Sequence, residues 1–65
     1  MSPAAAAMVS TLSTAPWSGV NASGLPVRRL TRIIDGRRVI LTEDLDGALV
    51  WSVTDLAGDI TTEAP

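Results

Sequence analysis

The chain has no cysteine, histidine, lysine, tyrosine or phenylalanine among its 65 residues. Without cysteine no disulfide can reinforce a small core, and without cysteine or histidine there is no conventional zinc site. The same gaps remove thiolate, imidazole and amine from the catalytic inventory. A serine or threonine hydroxyl would have only carboxylates to activate it. Paired carboxylates in turn need a walled pocket that raises one pKa, which a chain this short is poorly able to build. The expectation is a protein that is not an enzyme and uses no cofactor and no metal.

Long hydrophobic runs are missing as well. No segment approaches the ~20 apolar residues needed to span a bilayer. The longest apolar run near the start, Ala4 to Val9, is short and has no basic stretch before it, so it does not read as a secretory signal. A cytoplasmic protein without a membrane partner is therefore expected. No charged side chain occurs in the first 27 residues. All five arginines then fall between Arg28 and Arg38, and the seven acids run from Asp35 to Glu63. The chain is thus neutral, then basic, then acidic. Its net charge of −2 and pI near 4.6 argue against wholesale attraction to nucleic acid or anionic membrane.

What is present is a stretch of alternating apolar and polar residues, "RLTRIIDGRRVILTEDLDGALVWSVTD", broken by two aspartate–glycine steps. Asp35-Gly36 suits a two-residue type I′ hairpin turn, which requires positive φ at both positions. That turn sets Ile34 opposite Arg37, Arg32 opposite Val39 and Leu30 opposite Leu41. Leu45-Asp46-Gly47 suits a three-residue loop closed by a left-handed glycine. It sets Glu43 opposite Leu49, Leu41 opposite Trp51 and Val39 opposite Val53. The two registers agree: Leu30, Leu41 and Trp51 form one row, with Val39, Val53, Ile34 and Leu49 on the same face. A slip of one residue at either turn would scatter them. Arg28 falls beside Glu43 and Arg37 beside Asp55. The opposite face carries Arg29, Thr31, Ile33, Arg38, Ile40, Thr42, Val50, Ser52 and Thr54, and its three aliphatic residues hint at a second contact surface.

The expected fold is therefore mainly β. A small three-stranded antiparallel meander over about residues 28–55 is flanked by a flexible or weakly helical N-terminal arm and a short acidic tail. As domains, residues 1–26 form the uncharged arm, 27–56 the meander module and 57–65 the tail. Within the arm, Ala4 to Leu12 can form a few helical turns with Ser2 as N-cap and Pro3 at the first position. Such a helix is unstable alone, so a flexible arm is favoured. "DITTE" could add a fourth strand, but a tail is preferred.

A three-stranded sheet with one bare apolar face is marginal. Something must cover Leu30, Leu41 and Trp51: the arm, a second copy, or a larger partner, of which a protein partner or homo-oligomer is favoured. The candidate partner-binding residues are Trp17, Leu30, Leu41, Trp51 and Val53. The turn residues are Asp35, Gly36, Asp46 and Gly47. The acids of "EDLDG" lack the longer ligand spacing of a calcium loop. Asn21-Ala22-Ser23 matches the glycosylation acceptor pattern, which means little without a secretory signal.

The leading functional expectation is a small structural or interaction protein whose sheet is completed by self-association or by docking on a larger assembly, a layout that suits phage and other accessory proteins. One alternative is a ribosomally made precursor peptide, with a partner enzyme modifying the Thr, Asp and Glu residues of its C-terminal segment. Another is a β-ribbon nucleic-acid-binding regulator. Nucleic acid is disfavoured because the register divides the arginines between faces and no aromatic platform lies beside them.

Overall fold

The computed structural model describes residues 1–55, 58 and 60–65. Helix α1 (Pro3–Leu12) is followed by strands β1 (Gly19–Val20), β2 (Pro26–Ile34), β3 (Arg37–Asp44), β4 (Leu49–Thr54) and β5 (Ile60–Thr61). The strands form one antiparallel sheet in the order β1-β2-β3-β4-β5. The fold is mainly β, as expected, but with five strands rather than three. Of the flexible or weakly helical arm, the helical alternative is the one that forms, over the expected residues and with the expected cap, while the two short outer strands correct the plain arm and the plain acidic tail. The arm supplies α1 and β1, and Ile60–Thr61 pairs with Val53 and Thr54 of β4. Gly58, read as a turn, has a φ of 92° and donates its N–H to the Asp55 carbonyl. Leu56, Ala57 and Asp59, at the end of the meander module and in the tail, lie outside the described residues.

The two hairpin turns set the register that the sequence implies. Asp35 and Gly36 have φ values of 52° and 74°, the paired positive angles of the type I′ turn. Leu30 faces Leu41, Arg32 faces Val39 and Ile34 faces Arg37. Across the next turn, Leu41 faces Trp51, Val39 faces Val53 and Glu43 faces Leu49. The β3–β4 ladder ends at Arg38 and Thr54, one step short of the Arg37–Asp55 pairing.

Two of the loops are built alike. Asp44 Oδ1 accepts the N–H groups of Asp46 and Ala48, Gly47 donates to the Asp44 carbonyl, and Gly47 has a φ of 83°. In the β1–β2 loop Asn21 Oδ1 accepts from Ser23 and Leu25, Gly24 donates to the Asn21 carbonyl, and Gly24 has a φ of 79°. Both follow one pattern: Asn or Asp, two residues, then a left-handed glycine. The side-chain oxygen mimics a strand carbonyl and fixes the loop from within. Pro26 opens β2 at no loss, because its missing N–H would point beyond the end of β3.

α1 is what covers the apolar face. Ser2 caps it, its Oγ accepting from Ala5 N–H at 3.1 Å, and Pro3 stands at the first helical position. Ala5, Met8 and Leu12 recur at helical spacing and are buried against Val39, Leu41, Trp51 and Val53. Val9, Ala15, Leu30 and Ile34 close the margin of this core. The expectation that a partner covers Leu30, Leu41 and Trp51 is corrected: the chain's own helix does so. The molecule is 16 Å in its thinnest direction, and among the described residues α1 and the sheet are its two layers.

The twin loops yield a test. Asp44→Asn is expected to leave stability within about 0.5 kcal/mol of the parent, since Asn21 does the same work in the other loop. Asp44→Ala strands two loop amides and is expected to cost about 1 kcal/mol. Urea unfolding followed by tryptophan fluorescence distinguishes the two; equal losses would contradict the proposed role of the side-chain oxygen.

Candidate protein-interaction surface

The five candidate contact residues separate by depth. Leu41, Trp51 and Val53 lie within the core under α1, and Leu30 is half-buried at its margin. Only Trp17 offers substantial surface, at 41% exposure. The residues grouped as one row by the register are thus brought together, but against the chain's own helix. Of the turn residues, Asp35, Gly36, Asp46 and Gly47 are all exposed.

Trp17 is held by Arg28. The guanidinium carbon stands 4.5 Å from the indole centroid, a stacking worth about 0.5–1 kcal/mol at an accessible position. The same guanidinium donates from Nε to Glu43 Oε1 at 2.6 Å and from Nη1 to the Ser13 carbonyl at 2.9 Å. Ser13 is the C-cap of α1, and the last turn of that helix has no basic residue of its own. Arg28 therefore brings a cation from the sheet to the negative end of the helix dipole. One planar side chain ties helix end, neighbouring strand and Trp17 together, which a lysine could not reproduce. The sequence points to the Arg28–Glu43 pair through the register; the contacts to Ser13 and Trp17 depend on where the helix ends and leave no local signal.

The face that α1 does not cover carries an apolar diagonal. Ile33 pairs with Arg38, Ile40 with Thr31 and Ser52, and Val50 with Thr42. Ile33, Ile40 and Val50 are therefore successive diagonal neighbours, about 7–8 Å apart. Ile33 is 69% and Val50 55% exposed. Hydroxyls of Thr31, Thr42, Ser52 and Thr54 border the diagonal, with Arg29 and Arg38 at its flanks. Val27, on the same face, is buried beside Gly19, where an added Cβ would come within 3.1 Å of Val27 Cγ2.

The edges of the sheet are unfinished. β1 pairs only with Pro26 and Val27, leaving Arg28–Ile34 open on its outer side. β5 pairs only with Val53 and Thr54, leaving Leu49–Ser52 open. A groove of about 230 Å³ runs between α1 and the far end of β2, lined by Ala4, Ala7, Met8, Thr11, Arg32, Ile33 and Ile34. Among the described residues there is no cluster of three or more His, Asp or Glu side chains suited to a metal ion, and no helix long and apolar enough to cross a membrane.

No protein-family model, curated protein or solved structure matches the chain.

Arg28→Ala is expected to destabilise the fold by about 1.5–3 kcal/mol, because it leaves a half-buried Glu43 carboxylate and a helix-end carbonyl without their donor. Arg28→Lys recovers charge but neither fork nor stacking, and is expected to recover less than half of that loss. Urea midpoints of the three proteins provide the check, and full recovery by lysine would show that charge alone matters.

Proposed function

We propose that this protein is a small non-enzymatic interaction module that docks on a protein partner or a larger assembly through the parts of its sheet that α1 leaves open. The observation that carries this reading is the Ile33–Ile40–Val50 diagonal across three adjacent strands, with Ile33 and Val50 exposed and Ile40 half-buried between them. Scattered exposed aliphatic residues are ordinary on a protein surface. A contiguous aliphatic line across three strands, bordered by hydroxyls and flanked by arginine, has the composition of an interface: apolar centre and polar rim.

The face supports a heterologous partner better than a two-fold dimer. In a two-fold contact the patch would meet its own copy, bringing Arg29 and Arg38 of one chain toward the same residues of the other. Asp44, the acid on this face, already has Oδ1 engaged by two loop amides. A partner offering aliphatic surface and carboxylates satisfies the patch without that repulsion.

A photo-reactive amino acid in place of Ile33 or Val50, in cells of the encoding organism, tests the reading. Discrete protein adducts are expected from these two positions and not from Ser10, exposed on α1. No adducts above the Ser10 background, with the purified chain monomeric at every concentration in sedimentation velocity, would defeat the interaction reading.

A further inference from the structure

The outer edge of β2 has features that the sheet face alone does not explain. Asn21 N–H donates to the Leu25 carbonyl, so the backbone of residue 25 faces β1. Backbone groups alternate in direction along an antiparallel strand. Val27 therefore also faces β1, and Arg29, Thr31 and Ile33 turn their N–H and C=O groups away from β3. Past the end of β1 no strand among the described residues meets them. The other end of β2 agrees: Ile34 closes the two-residue hairpin against Arg37, so even-numbered positions face β3.

One of these outward groups is already occupied by the chain itself. Arg32 Nη1 donates to the Thr31 carbonyl at 2.9 Å. A guanidinium laid over an edge carbonyl blunts the edge against indiscriminate strand pairing. It is also displaceable, since the bond is exposed and links adjacent residues.

The groove lies along the same edge. Ala4, Ala7 and Thr11 recur at helical spacing on α1, and their small side chains leave the space above Ile34 open. A strand added to β2 would send alternate side chains into this groove, between helix and edge, and the others toward Arg29 on the opposite face. Arg29 and Arg32 have no carboxylate partner among the described residues, whereas Arg28 already holds Glu43.

We propose that the outer edge of β2 is a docking site for an extended acidic segment of a partner protein, which adds as an antiparallel or parallel strand at Arg29–Ile33. This rests on the interaction-module reading and specifies the partner's chemistry. The segment alternates small aliphatic side chains, seated in the groove, with carboxylates facing Arg29. As it pairs, Arg32 yields the Thr31 carbonyl to the new ladder, and at the rim of the groove its guanidinium becomes available to an acid that flanks the aliphatic positions. A second copy of the chain fits less well: two-fold pairing of β2 with β2 would line one seam with Arg28, Arg29 and Arg32 from both strands.

The test is a proton–nitrogen NMR titration of the full chain with a capped hexapeptide of alternating valine and glutamate, against the same peptide with lysine for glutamate. The acidic peptide is expected to shift the Arg29, Thr31 and Ile33 amides and slow their hydrogen exchange, while the basic peptide leaves them unchanged. Thr31→Pro removes an outward donor without touching the β3 ladder, and is expected to weaken binding by about tenfold or more. A double Arg29→Glu, Arg32→Glu variant is expected to reverse the preference toward the lysine peptide, and stands as the test should the proline variant not fold.

Edge amides unmoved at millimolar acidic peptide, or moved equally by both peptides, would overturn the proposal. Shifts confined to the Ile33, Ile40 and Val50 side chains would also overturn it, moving docking to the sheet face and leaving the interaction-module reading intact. Edge protection that grows with chain concentration alone would replace the acidic partner with a second copy. Failure of the photo-crosslinking experiment, by contrast, would remove the broader reading on which this one stands.

Discussion

A sheet with an apolar row on one face has to keep that row from water, and in this protein the cover is ten residues of uncharged helix. Everything else follows from how closely that helix can approach. Ala5 has no exposed surface, and its methyl group lets the helix backbone sit near the strands while Met8 and Leu12, one and two turns further on, fill the rest of the interface. Met8 is a suitable filler, because an unbranched thioether adapts to an irregular gap. Larger residues at position 5 would lift the helix and reopen the core. The alanine-rich composition of the N-terminal region, which by itself suggests little order, is what permits a two-layer fold in a chain with only two aromatic residues.

Helix and sheet are joined at one end by a single side chain, and this gives the charge pattern a structural meaning. The sheet is a meander in sequence order, so position along the chain maps directly onto position across the sheet. The neutral, basic and acidic parts of the sequence accordingly become an uncharged covering layer, an arginine-bearing β2 with its hairpin to β3, and, apart from Asp35 in that hairpin's turn, acids gathered from the end of β3 onward. Arg28 and Glu43 stand at the boundary of the last two. A chain with the same composition but interspersed charges would fold to the same hairpins without a basic edge. The segregation therefore adds nothing the fold itself requires; it matters for what the molecule can attract.

The meander was legible in the sequence because its turns are chemically demanding. An Asp-Gly step accepts paired positive φ angles that few other dipeptides tolerate, and each such turn sets the pairing of every residue behind it. The outer strands were not legible, since two residues cannot display an alternation. A signal for β1 was nevertheless present: Asn21-Ala22-Ser23-Gly24 has the spacing of Asp44-Leu45-Asp46-Gly47, and the two loops share every hydrogen bond described for them. Read as a glycosylation acceptor, the motif conceals its role as a turn. The docking of α1 was hidden for a different reason. Its cap, Ser2-Pro3, could be read, but the free energy that keeps so short a helix folded comes from packing on the sheet rather than from its own propensity. The candidate contacts Leu41, Trp51 and Val53 share this origin: the register correctly grouped them on one face, while the identity of the covering element lay outside the strands.

The arginines along β2 satisfy two requirements that usually conflict. An edge seven residues long is a template for any passing strand, and proteins blunt such edges with charge. An edge kept for a partner must stay accessible. Placing the protecting charge on a flexible side chain that bonds its own strand, as Arg32 does at the Thr31 carbonyl, reconciles them. A neutral strand exchanges the Arg32 bond for one ladder bond and gains nothing from the guanidinium it sets free, and a basic strand is repelled by it as well. An acidic strand makes the same exchange and adds an ion pair. Protection and selectivity are then one property of the same guanidinium, and the sign of the incoming charge decides which of the two is expressed.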